Sequence, residues 1–303
     1  MVILPYFRTY TDFLVLLLAF YVHDVPIPFT IGNREDTPRS KLTDSLLRRV
    51  GYIIASRSRE QSIQENFITQ ALLQELLQKH KLVMMFQNDA RMKSGKFNHP
   101  TVPDVSVEWI LNTFAQNKGK TIHVIPVSIT KDRLLDISNL ADHMVSDRRP
   151  KISLQKIRKT SKRLGGVGKI YVKFGDTIDI KQYLEERQLQ ALSQPNFKRA
   201  ALTVTNELIV THEAQSPVLL NNILAALLLQ EQGEPIAFDD LYKNCRSVFG
   251  FLRKRRTILM FDELPPTRFE LRKAAVALGC TIKQTQAQRF AKQARRLEVN
   301  LTM

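Results

Sequence analysis

An α/β fold with a C-terminal helical region follows from three features of this 303-residue sequence. Through residue 184, short apolar runs of strand length alternate with segments whose apolar residues recur at helical spacing, the pattern of a sheet covered by helices. Beyond that point the strand-like runs stop, and helical patterns punctuated by prolines replace them. Hydrophobic residues make up 44% of the chain, enough for a packed core. The expected organisation is an α/β domain over residues 1–184 and a helical region with a basic tail over residues 185–303.

Val2-Ile3-Leu4 reads as a buried strand, so the chain starts inside a core element, as a truncated gene product would. The residues from Asp12 onward read as a mostly apolar helix. Its uninterrupted apolar stretch, residues 13–22, is about half of the ~20 residues that a bilayer span needs, so a buried helix is expected. No charged segment precedes it to suggest a secretory signal. Residues 25–31 read as extended, and residues 41–49 as a short helix closed by Gly51. Residues 52–55 form the next strand, followed by the polar turn Ser56-Arg57-Ser58-Arg59.

Ile63, Phe67, Ile68, Leu72 and Leu76 recur at helical spacing. Residues 82–86 are a compact apolar strand, and residues 88–96 form the loop at its carboxyl end. Ligands of open α/β sheets gather at that edge, and the sequence concentrates cations there. Residues 105–114 return to helix with the sole tryptophan, Trp109. Residues 122–129 form a strand interrupted by Pro126, for which an edge position or a bulge is expected. His123, set between apolar residues, reads as a hydrogen-bonded core histidine.

Residues 148–162 are basic and helical in pattern, and Gly165-Gly166-Val167-Gly168 then breaks the chain without the Gly-Lys-Ser/Thr ending of a P-loop. Ile170, Val172 and Phe174 alternate as a strand that turns at Gly175-Asp176. Helices are expected over 185–211, 218–230, 238–252 and 268–278, with Pro195, Pro217, Pro235 and Pro265-Pro266 as breakers.

The chain has 45 Lys and Arg against 29 Asp and Glu, a formal net charge of +16. Such a surface suits nucleic acid, anionic lipid headgroups or polyanionic small substrates. No RNA- or DNA-binding motif is present, and the cations are shared among the 88–96 loop, the basic helix and the tail, so nucleic acid is not an expected partner. The six histidines show no paired ligand spacing, so no metal site is expected. Cys245 and Cys280 are far apart, in keeping with a reducing compartment.

Leu4-Pro5-Tyr6-Phe7-Arg8-Thr9-Tyr10-Thr11-Asp12-Phe13 resembles the Leu-Pro-x-His-Arg-Ser-Tyr-x-Asp-Phe run of the glycerolipid acyltransferases, with Phe7 at the histidine position. Residues 86–96 resemble that family's Phe-x-Glu-Gly-Thr-Arg-Ser-Arg-Ser-Gly-Lys segment. Phe86, Arg91, Ser94, Gly95 and Lys96 match, Lys93 replaces an arginine, Asn88 replaces the glutamate, and Asp89-Ala90 replace Gly-Thr. Residues 51–58 resemble Gly-x-Phe-Phe-x-Arg-Arg-Ser, with Ser56 replacing the first arginine and Arg57 keeping the second. Ile125-Pro126-Val127-Ser128-Ile129-Thr130-Lys131-Asp132 resembles Val-Pro-Ile-Ser-Ile-Ser-Tyr-Asp. The dihydroxyacetone phosphate acyltransferases look closest, through Tyr171-Val172-Lys173-Phe174-Gly175-Asp176, Ser216-Pro217, Leu227-Leu228-Leu229-Gln230 and Phe238-Asp239-Asp240-Leu241. The ordered series covers roughly residues 2–260.

This resemblance implies a mixed sheet flanked by helices and transfer of a fatty acyl group from acyl-CoA to the sn-1 hydroxyl of dihydroxyacetone phosphate or glycerol 3-phosphate. Acyl-CoA is a co-substrate, and no cofactor is expected. In the family the histidine is the base and the aspartate orients it. Here Asp12 keeps the orienter position, while Phe7 offers no proton acceptor. The resemblance assigns phosphate binding to Arg8, Arg57, Arg91, Lys93, Ser94, Gly95 and Lys96, and the acyl pocket to Pro126. Arginines bind phosphate through two donors at once, whereas a lysine is a point charge.

Loss of a general base typically costs ~10²–10⁴ in rate, whereas proximity and oxyanion stabilisation survive, so impaired catalysis is expected. Asn88 and Ser56 point the same way. The alternative expectation is a silent homologue that binds membrane, acyl-CoA or an active family partner. Peripheral attachment to an anionic membrane is expected. The resemblance implies the peroxisome, with the mitochondrial outer membrane or endoplasmic reticulum as alternatives, because the chain ends Asn300-Leu301-Thr302-Met303 and not in a Ser-Lys-Leu signal.

Overall fold

Short runs of aliphatic residues in the first two-thirds of the chain pair as seven strands: β1 (Val2–Pro5), β2 (Phe29–Asn33), β3 (Tyr52–Ala55), β4 (Val83–Met85), β5 (His123–Lys131), β6 (Ile170–Phe174) and β7 (Ile178–Asp179). The computed structural model describes residues 1–6, 11–33, 45, 47–55, 63–87, 103–117, 120–132, 169–189, 194–231, 236–255 and 265–278. The strands form one mixed sheet in the order β3-β2-β4-β1-β5-β6, with β7 also paired to β5. The five strands from β3 to β5 are mutually parallel, and β6 and β7 run antiparallel to β5.

Parallel neighbours need crossover connections. Helices α1 (Thr11–Val22), α2 (Ile63–Gln78) and α3 (Val105–Gln116) follow β1, β3 and β4. Residues 45 and 47–49 are also helical, and Gly51 ends that turn at φ 77°, the left-handed conformation of a helix C-terminus. Residues 41–44 of this expected helix, the basic segment 148–162 and the glycine cluster 165–168 lie outside the described residues.

Strand side chains alternate between faces. Val2, Leu4, Val83, Met85 and Val124 join one core with α2, α3, α4 (Ile180–Glu186) and α5 (Gln194–Gln215). Ile3, Met84, Phe86, Val127 and Ile129 join the other with Phe13, Leu16 and Phe20 of α1. The chain divides into two compact units, Met1–Ser216 and Pro217–Met303. The second contains α6 (Leu220–Gln230), α7 (Phe238–Lys254) and α8 (Arg268–Ala277) around Ile223, Leu224, Leu241, Cys245 and Leu271. Burial pushes the Cys245 thiol up to about 11, so it packs as a small apolar group.

Two sequence expectations change. The helix expected over 185–211 is two helices: α4 ends at Glu186, Gln188 takes φ 54°, and the Leu189 N–H donates to the Leu184 carbonyl at 2.9 Å. Pro195 then sits in the first turn of α5, where its missing N–H costs nothing. His123 is exposed near the amino end of β5, with Nδ1 3.8 Å from Asp179 Oδ2; its neighbours Ile122 and Val124 are buried in the core, and alternation turns His123 to the other face.

Pro126 does not lie on an edge strand, because β5 pairs with β1 on one side and with β6 and β7 on the other. The irregularity falls on the partner instead. β6 reaches Val127 and β7 resumes at Val124, so Ile125 and Pro126 face the longer stretch Gly175-Asp176-Thr177, an antiparallel bulge. The Gly175 N–H donates to the Pro126 carbonyl at 2.8 Å. A residue's N–H and C=O point to the same side of a strand, so the donor that proline lacks falls in this gap.

The left-handed Gly51 sets the entry to β3. A Gly51→Ala variant is expected to lose about 1–2 kcal/mol of stability, since a Cβ is disfavoured at positive φ. Urea unfolding measures this, and a loss below a few tenths would contradict it.

Candidate active site

The parallel strands β3, β2, β4, β1 and β5 all deliver their carboxyl ends to one edge of the sheet. β1 leads there into residues 7–10, β3 into residues 56–62, and β4 into residues 88–102. Phe7, Arg8, Ser56, Arg57, Asn88, Arg91, Lys93, Ser94, Gly95 and Lys96 belong to these segments and lie outside the described residues. The strands that precede them are described up to their last residues. Tyr6 and Gln87 form a parallel bridge beyond β1 and β4. The Tyr6 N–H donates to the Val127 carbonyl, and the Gln87 N–H to the Pro5 carbonyl, each at 3.1 Å. Backbone pairing thus holds β1, β4 and β5 in register up to the residues before Phe7 and Asn88.

Asp12 lies in the first turn of α1, where the helix dipole favours a carboxylate. It is only 1% exposed, and Lys131, at 4%, brings its Nζ to 2.5 Å from Asp12 Oδ1. Lys131 ends β5, four residues after Val127 and two after Ile129, so strand alternation turns it toward the same face, against α1. Next to Asp12 in sequence, Phe13 packs edge-on against Tyr52 at 5.1 Å and against Phe86 at 6.3 Å, in the apolar core on this side of the sheet. Desolvating a carboxylate there costs several kcal/mol unless a cation accompanies it.

Sequence reasoning placed Asp12 at the site and missed Lys131. The signal was present, because Lys131 continues the alternation of Val127 and Ile129 and stands where the resembling segment has tyrosine. Pro126 is buried in mid-strand, in register with Leu4, five residues before the ion pair.

A second polar cluster lies across the sheet. Ser128 Oγ is 3.4 Å from His212 Nδ1 and donates to the His212 carbonyl at 3.2 Å, while the Tyr6 and His212 ring centroids are 5.7 Å apart. His212 is fully buried and Ser128 is 3% exposed. Ser128 and Lys131 are an odd number of residues apart and face opposite sides of β5. The sheet therefore separates the imidazole of His212 from the carboxylate of Asp12. His212 is no substitute for a base beside Asp12.

Residues 150–288 match the family model of the glycerol-3-phosphate acyltransferase C-terminal region. Mitochondrial glycerol-3-phosphate acyltransferase 1 of Sus scrofa is 24% identical over 210 residues, 67% of this chain and 25% of that protein. Dihydroxyacetone phosphate acyltransferase of Oryctolagus cuniculus is 27% identical over 192 residues, 61% of this chain and 27% of that protein. Glycerol-3-phosphate acyltransferase of Pasteurella multocida is 22% identical over 262 residues, 83% of this chain and 32% of that protein. The chain spans about a quarter to a third of the length of these relatives.

Removing one member of the ion pair takes a buried counter-charge from the other. Lys131→Met is expected to destabilise the protein by about 3–5 kcal/mol, and the double variant Asp12→Leu/Lys131→Met to recover most of that loss. A double-mutant cycle by urea denaturation reads the coupling, and additive losses would contradict it.

Proposed function

We propose that this chain, which is similar to glycerolipid acyltransferases, is a scaffold for acyl transfer to a small phosphorylated acceptor, with impaired proton removal. The reaction is movement of a fatty acyl group from acyl-CoA to the sn-1 hydroxyl of dihydroxyacetone phosphate or glycerol 3-phosphate. It requires a base for the hydroxyl proton, donors for the oxyanion and cations for the anionic substrates. Arg8, Arg57, Arg91, Lys93, Ser94, Gly95 and Lys96 are the residues proposed to hold the phosphates, and Pro126 is proposed to line the acyl pocket.

The Asp12–Lys131 pair is the observation that carries the reading. An ammonium at 2.5 Å neutralises the carboxylate that would orient an imidazole. A protonated lysine donates hydrogen bonds and accepts none, so it does not do a base's work. With phenylalanine at position 7, the motif position that supplies the family's base holds no proton acceptor. The same pair favours a second reading, a catalytically silent homologue that binds acyl-CoA, membrane or an active relative.

The proposed setting is peripheral, on an anionic membrane surface. By resemblance that surface is the peroxisome's, with the mitochondrial outer membrane or endoplasmic reticulum as alternatives. No helix among the described residues is long and apolar enough to cross a bilayer.

Acyl transfer by purified protein, with dihydroxyacetone phosphate and glycerol 3-phosphate as acceptors, tests the proposal. Phe7→His alone is expected to recover little, because Asp12 stays with Lys131. Phe7→His/Lys131→Tyr, with or without Asn88→Glu, is expected to recover part of the ~10²–10⁴ that a base supplies. A wild type as fast as the combined variants would sink the impairment. Acyl-CoA binding with no turnover in any variant would favour the silent homologue.

A further inference from the structure

α1 has no polar side. Every residue from Phe13 to Val22 is apolar, yet only one face of the helix meets the sheet. Phe13, Leu16 and Phe20 are buried there, whereas Leu14, Leu18, Tyr21 and Val22 are 55, 62, 73 and 63% exposed. Their spacing places them on one outward stripe. Val25 and Ile27, 39 and 43% exposed, continue it into the following loop.

A helix that covers a sheet in water normally turns charged residues outward. α4, on the opposite face, does so: Ile180, Tyr183 and Leu184 are buried while Lys181, Gln182, Glu185 and Glu186 are exposed. A contiguous apolar stripe such as that of α1 marks an interaction surface.

The charges around the stripe identify its partner. Leu47 and Val50 pack into the same core as α1, and the intervening Arg48 and Arg49 are exposed. Along residues 11–29 the exposed acid is Asp24 alone. An apolar stripe with exposed arginines on the same side of the sheet has the composition of interfacial segments that insert into anionic bilayers. A second copy would instead bring two surfaces of net charge +16 together.

We propose that the outward face of α1, continued by Val25 and Ile27, with Arg48 and Arg49 exposed on the same side of the sheet, seats the protein on an anionic lipid bilayer. This rests on the membrane setting proposed above and assigns it to named residues. The seat lies on the helix whose first turn holds Asp12, so the bilayer surface and the candidate site share α1.

Flotation of the full chain with phosphatidylcholine vesicles, with and without phosphatidylserine, tests this face. Wild type is expected to float with the phosphatidylserine vesicles and to lose binding as salt rises. Leu14→Ser/Leu18→Ser/Tyr21→Ser, which alters exposed positions, is expected to lower partitioning at least about tenfold at unchanged melting temperature. Arg48→Gln/Arg49→Gln is expected to weaken it by about fivefold per charge at low salt. If wild type floats and the triple variant floats equally well, this face is overturned while the membrane setting stands. If wild type binds neither vesicle, both fall. A wild-type dimer that the triple variant dissolves in size-exclusion chromatography would assign the stripe to a second copy and overturn the proposal.

Discussion

The pairing of β1 between β4 and β5 is the constraint on which the candidate site depends. Four residues, Val2–Pro5, hold parallel neighbours on both sides, and all four are buried. Three crossovers start or end beside this strand, so its direction fixes which sheet edge receives the motif-bearing segments. Tyr6 extends the pairing to β5, and its bridge to Gln87 does the same toward β4. One short strand thus sets the spacing of segments that are far apart in sequence.

Lys131 brings a second long-range tie to the same edge. Its contact with Asp12 joins the first helix to the far end of β5, across 119 positions of sequence (131 − 12). A buried pair of this kind contributes little net stability compared with an apolar substitute, but it penalises loss of either partner heavily. Phe7, five positions before Asp12, stands where the resembling motif has histidine.

Strand and helix order was readable because β-strand alternation and helical spacing are local signals. Val2, Ile3 and Leu4 partition between faces as alternation requires, and Gly51 takes the backbone that its C-cap role needs. The misreadings share a cause: they depend on what lies across the sheet. Pro126 signals an edge or a bulge, and no local signal decides between them, because the gap left by β6 and β7 lies across the sheet. His123 sits between buried Ile122 and Val124, yet alternation turns it to the opposite face, where it is exposed. Lys131 continues the alternation of Val127 and Ile129, but its partner belongs to α1 and is invisible from β5 alone. Residues 13–22 read as a buried helix, because a helix that is apolar all round gives no periodic contrast to mark its exposed face.

β5 carries opposite chemistries on alternate residues. Lys131 serves the carboxylate on one side, and Ser128 serves the imidazole-bearing helix on the other. A slip of one residue would exchange the two sides, driving an ammonium into the aliphatic core and withdrawing the hydroxyl from His212. The bulge opposite Pro126 makes that slip hard, since a residue without an N–H fits only where the partner strand bows away. In evolutionary terms, β5 should tolerate exchanges of side-chain size yet reject single-residue insertions and deletions between Pro126 and Lys131.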